Sequence, residues 1–300
     1  MSKQCFSPET PDLLTRLFRG TLLAATLVAA ALSISEVLAQ NPADEPDERE
    51  QTARLRMAEV HVGKIEMRLV AGGREVVPRI ERPLLLYGDS ARDNADGTLW
   101  AWGTKGRPLA LLETYESTKG GGGRANAITL TGTQLIIAKA PTTSATVWQP
   151  QQTQIEPIAF PDAPAPSDRE TIRLRQMKDL ARRMSAHEFW DPDNSRFELR
   201  LLVQPVHRYA DPESKIHDGA MFVLAHGTNP EVIVLLEALG ESLAASRWHY
   251  SLARLGSAEL RLAIDDREVW RRDRTPGIVG RPTDPYWLFM TPSTTRLISE

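Results

Sequence analysis

Leu174, Met177, Ala181 and Met184 recur at three- and four-residue steps, the period of one helix face, and predict an amphipathic helix of about four turns. Ser167 and Glu170 ahead of it have the S-x-x-E spacing of a capping box. The pattern then changes to strands. Residues 188–190 read as a short strand, Asp191-Pro192-Asp193-Asn194 as a turn, and Phe197, Leu199, Leu201 and Val203 as a half-buried strand in period 2. A loop is expected from Tyr209 to Gly219. Residues 220–225 and 232–236 are almost continuously apolar, which predicts central strands covered on both faces. Trp248, Tyr250 and Leu252 alternate again, and Asp265-Asp266 separates two further runs as a hairpin would.

The preceding part of the chain follows the same order. A less regular helix is expected near residues 48–62. Ile65, Met67 and Leu69 alternate up to Gly72-Gly73, a hairpin signal, and strands follow to Tyr87 and around 99–102, 109–114, 128–130 and 135–138. The two parts share a register. Tyr87 and Asp89 match Tyr209 and Asp211, Asp96-Gly97 matches Asp218-Gly219, Trp100 matches Phe222, and Trp148 matches Trp270, each 122 residues apart. The reading is an α+β chain of two tandem repeats, each a helix followed by an antiparallel β-meander in a bent sheet. A joint sandwich in which the halves share one core is the alternative. Module 1 spans 52–148 and module 2 spans 168–270. Between them, 149–167 holds Pro150, Pro157, Pro161, Pro164 and Pro166, the composition of an extended linker. The tail, 271–300, carries the apolar run 286–290, expected either as a last strand docked on the core or as a segment adding to a partner's sheet edge.

Residues 1–39 read as a signal peptide. Arg16 and Arg19 precede an uncharged stretch from Gly20 to Ser35, too short to span a bilayer, and Val37-Leu38-Ala39 offers a cleavage site. An acidic segment, 40–51, follows. Export to the periplasm or the exterior of a bacterial cell is therefore expected. The one cysteine, Cys5, lies in the part to be removed, so no disulfide or cysteine nucleophile is expected in the remainder. The chain has 36 Lys+Arg against 39 Asp+Glu, a net charge of −3, and no long basic stripe, which argues against nucleic-acid binding.

The pattern Tyr-x-Asp, Asp-Gly before an apolar pair, and Gly-x-x-Pro, with Gly-Thr-Asn-Pro at 227–230 and Gly-Arg-Pro at 106–108, resembles an uncharacterised family of exported bacterial proteins of the planctomycete type. The resemblance spans most of the mature chain. It implies export and this architecture, and no activity.

Candidate chemistry is sparse. Features common to both halves, such as the Tyr–Asp pairs, are expected to serve the fold, with Asp-Gly as a turn dipeptide. Asp211, His217 and Asp218 could gather in one loop and bind a ligand, yet their spacing matches no metal motif. The run from His187 to Asp191 departs from H-E-x-x-H in its last residue. Trp100 and Trp102 share a strand face and could stack on a sugar. Gly120–Gly123 lies where a hairpin tip is expected rather than a phosphate loop, and no G-x-S-x-G occurs. The expectation is a non-enzymatic protein, without cofactor or metal, that binds a protein or cell-envelope component. The alternatives are an extracytoplasmic hydrolase using carboxylates gathered from loops, and a carbohydrate-binding module.

Overall fold

A computed structural model describes residues 48–71, 75–89, 94–117, 123–139, 147–190, 195–277 and 279–292. The expected signal peptide, most of the acidic segment, Gly72-Gly73, Gly120–Gly122 and the turn expected at 191–194 lie outside the described residues. Residues Ala53–Glu300 form one compact unit. Among the described residues no helix is long and apolar enough to cross a membrane.

The elements run α1 (Glu48–Val62), β1 (Glu66–Leu69), β2 (Leu85–Asp89), β3 (Asn94–Trp102), β4 (Ala110–Ser117), β5 (Gly123–Leu130), β6 (Ile136–Lys139), β7 (Val147–Trp148) and β8 (Ile158–Ala159). Then come α2 (Glu170–Arg182), β9 (Met184–Trp190), β10 (Ser195–Leu201), β11 (His207–Asp211), β12 (Ile216–His226), β13 (Asn229–Leu239), β14 (Arg247–Arg254), β15 (Glu259–Ile264), β16 (Arg267–Arg272) and β17 (Tyr286–Pro292).

These strands correct the expected fold class. The protein is mostly β, 51% strand against 14% helix, with a curled sheet of eight strands along one path. It is not a pair of α+β helix-plus-meander repeats. The physical reason is strand pairing. The strand after the first helix, β1, leaves the meander that follows it and pairs with β6, and the strand after the second, β9, pairs both with the next strand, β10, and with β15 from the far end of its half. The sheets are β1-β6-β7, β17-β5-β4-β3-β2, and a nine-stranded sheet in which β16-β15-β9-β10-β12-β13-β14-β8 run in sequence and β11 also pairs with β12.

Three cores follow. The five- and nine-stranded sheets face each other across Leu99, Leu111, Met221, Val223, Ile233 and Leu235, a core to which both halves contribute. The other face of the five-stranded sheet packs on α1 and the small sheet through Val62, Trp100, Trp102 and Trp148. The other face of the nine-stranded sheet closes over α2 through Met177, Leu180, Phe222, Val234 and Leu252. β12 and β13 are thus buried on both faces, with Phe222 and Leu224 on one side and Met221 and Val223 on the other, as continuous apolar runs require.

Local chemistry accounts for the ends of these elements. Asp265 and Asp266 both have positive φ, 48° and 64°, the conformation of a tight two-residue hairpin turn between β15 and β16. The expected capping box does not form. The N-cap of α2 is Arg169 without a side-chain cap, and Ser167 Oγ instead accepts from Arg169 N at 3.2 Å. The Pro-rich 149–167 stretch is packed: Ile155 and Phe160 are buried and β8 pairs with β14. The apolar run of the tail is β17, paired along its length with β5. The loop expected from Tyr209 to Gly219 is only the turn between β11 and β12, which pair through Tyr209↔Gly219.

Candidate functional site

A charged residue inside a run such as Val232–Leu239 has to find a partner, because an unpaired buried charge is strongly unfavourable. Glu237 on β13 is such a residue, 1% exposed. Arg107 reaches it from the loop between β3 and β4, with Nε donating to Oε1 at 2.7 Å and Nη2 donating to Oε2. The Tyr209 hydroxyl from β11 also donates to Oε1, at 2.7 Å. Burial disfavours the Arg107 charge, but the hydrogen bonds and charge of Glu237 outweigh that and raise its pKa. Burial, followed by the Glu237 carboxylate, pushes the Tyr209 phenol well above its usual range. Both groups therefore keep their protons through the physiological range.

Arg107 of this triad lines a cleft of about 610 Å3 together with Lys105, Thr133, Asp211 and Glu213. The 103–107 loop can approach Asp211 because Gly106 has φ +69° and a Cβ there would lie 2.7 Å from Asp211 Cβ. At the rim Lys105 Nζ donates to Glu213 Oε2 at 2.5 Å, across the exposed gap between the β3–β4 loop and the turn after β11. Ser214 Oγ donates to Asp211 Oδ2 at 2.6 Å. That bond, helped by Lys105, holds the Asp211 carboxyl below its ordinary pKa. Asp211 Oδ1 is enclosed with no hydrogen-bond partner among the described residues.

Of the residues singled out in sequence, only Asp211 borders this cleft. His217 Nε2 is 2.8 Å from the Gly240 carbonyl. Asp218 is buried between two guanidiniums, 2.7 Å from Arg173 Nε and 2.6 Å from Arg208 Nη2. The three do not form a common ligand set, and no group of three or more metal-ligating side chains occurs among the described residues. Trp100 and Trp102 are 0% and 2% exposed, so neither offers a ring to a sugar; both fill the core beside α1. In the His187 run, Glu188 is buried and accepts from, or shares a proton with, His226 Nδ1 of the neighbouring strand.

Glu237 escaped the sequence reading, and Arg107 entered it only as the middle residue of Gly-Arg-Pro at 106–108, with no role. The signal was there in part: a lone carboxylate inside a fully buried strand. Its partner, 130 residues earlier, carried no local mark. The chain matches no protein-family model, no curated protein and no solved structure.

Proposed function

We propose that the protein is an exported, non-enzymatic binding protein whose cleft beside Arg107 holds a polypeptide partner of the cell envelope. The N-terminal pattern of basic flank, short apolar stretch and cleavage site supports export. One observation carries the binding reading: the cleft alternates charge, Lys105 and Arg107 against Glu75, Asp211 and Glu213. A surface of both signs complements a chain carrying both signs, and would repel a uniform polyanion or polycation. Chemistry would need a base within reach of a nucleophile or water. Here Arg107 is locked on Glu237, and the Asp211 carboxyl, held below its ordinary pKa, is a weak base for the Ser214 hydroxyl that donates to it.

The test is a photo-crosslinking residue at Gln134, on the cleft, and a second at Val203, exposed elsewhere. Position 134 is expected to capture a discrete envelope protein that position 203 does not, and Lys105→Glu is expected to reduce that yield without shifting the melting temperature. Identical capture from both positions would overturn the reading. So would turnover of an ester, phosphoester or glycoside that is lost in Asp211→Asn.

A further inference from the structure

A second cavity, about 330 Å3, lies where the end of β16 meets the start of β17, with Arg254, Arg272, Arg274, Asp273, Asp284 and Tyr286 on its walls. Its charges are unusual in their partners. Arg254 is 8% exposed and gives three of its five N–H donors to carbonyls: Nε to Gly256 at 2.9 Å, Nη1 to Asp273 at 2.8 Å and Nη2 to Ala258 at 2.7 Å. Its guanidinium lies 5.2 Å from the Tyr286 ring centroid. Arg272 stands over Trp270 at 4.9 Å, and Nη1 donates to the Arg271 carbonyl at 3.0 Å. Among the described residues neither has a carboxylate at ion-pair distance.

The two acidic residues on the walls are engaged outward. Asp273 Oδ1 accepts from Arg271 Nε at 3.2 Å, and Asp284 Oδ2 accepts from Arg281 N at 3.2 Å. Burial lowers the pKa of both Arg254 and Arg272; at Arg254 the Arg272 charge lowers it further, while Tyr286, Glu231 and Asp273 act in the opposite direction. Two cations lining one half-closed cavity, neither of them ion-paired among the described residues, are unfavourable, and an anion between them would offset that cost. Guanidinium forks with spare N–H groups are the geometry that takes planar or tetrahedral oxyanions.

We propose that this cavity binds an oxyanion group, a phosphate or a carboxylate, bridged between Arg254 and Arg272. The site is separate in its residues from the Arg107 cleft and stands without the binding reading given to that cleft.

The experiment is calorimetric titration of the full chain with inorganic phosphate and, separately, succinate, at fixed ionic strength with chloride as the balancing anion. Saturable binding of at least one probe is expected, and the stronger of the two identifies the source. Arg272→Gln should weaken it about tenfold or more, because a bidentate charge-assisted contact is lost. Arg272→Lys keeps the charge without the fork and should fall between, which preserves the test if the glutamine variant fails to fold. Arg175→Gln, on the exposed face of α2, should bind as the parent does. Absence of saturable binding for both probes would overturn the proposal, as would unchanged affinity in both Arg272 variants.

Discussion

Tyr87, Gly97 and Glu113 in the first half form the same local arrangement as Tyr209, Gly219 and Glu237 in the second. In each, a tyrosine on one strand lies opposite a glycine on the next, Tyr87↔Gly97 and Tyr209↔Gly219. The ring covers that glycine: a Cβ at Gly97 would sit 2.1 Å from Tyr87 Cζ, and one at Gly219 would sit 2.6 Å from Tyr209 Cε2. Each hydroxyl then donates to a buried glutamate, Glu113 or Glu237. These glycines were expected in turns. They lie inside strands, where missing side chains make room for rings. The halves differ in what else reaches the carboxylate. Glu237 takes a bidentate Arg107 from the other half, and this ion pair both ties the two sheets together and borders the cleft. The lesson is that one steric motif serves two ends, and that an arginine from a distant loop turns the second copy into the edge of a cleft.

The sharpest way to break this comparison is Arg107→Ala. It strands Glu237 in the interior and should cost about 3–5 kcal/mol, read from denaturant unfolding. Adding Glu237→Gln should recover a large part of the loss. No recovery would mean that Arg107 acts through packing rather than charge. Next are Gly97→Ala and Gly219→Ala, each expected to cost about 1–3 kcal/mol because a methyl collides with a tyrosine ring that cannot retreat. Gly97→Ala should be the worse, since its ring is closer. Replacing the facing tyrosine by alanine in the same chain should abolish most of the glycine effect, a coupling visible in a double-mutant cycle.

Tyr87→Phe and Tyr209→Phe separate the hydroxyl from the ring. Each should cost about 1 kcal/mol through the lost hydrogen bond. Equal values would show that Arg107 leaves the Tyr209 bond no less important. The smallest effect is on pH dependence. His61 in α1 and His207 in β11 both have pKa values lowered from 6.5, chiefly by burial; for His61 the bond to Asn126 partly offsets this. The unfolded chain then takes up protons more readily than the folded one, so stability is full above pH 6.5 and declines as pH falls through that value towards the folded-state pKa. Melting temperatures from pH 7.5 to 5.5 should drop, and His61→Gln should flatten part of the drop. A flat profile in the parent would remove burial as the cause.

The halves also differ in how their sheets close. In the second, β10 pairs with β9 on one side and β12 on the other, which joins everything into one nine-stranded sheet. In the first, the described residues between β1 and β2 make isolated bridges, Val76 to Arg68 and Arg79 to Trp102, and two separate sheets result. Pro78 and Pro83 lie in that stretch and lack the N–H that a ladder needs. Phe197, Leu199 and Leu201 supply the alternation that β10 uses. This contrast was written in local composition, although its consequence for sheet number was not.

Local pattern was enough to place most strands, a helix through Leu174, Met177 and Ala181 (though Met184, expected on it, begins β9), the hairpin at Asp265-Asp266 and the double-sided burial of β12 and β13, because periodicity and turn preference act over a few residues. The sheet that each strand joins, the mid-strand role of Gly97 and Gly219, the burial of Trp100 and Trp102, and the partnership of Arg107 with Glu237 depended on the tertiary structure. Strand pairing and charge pairing are contacts between positions tens to more than a hundred residues apart. No short window of sequence contains both partners.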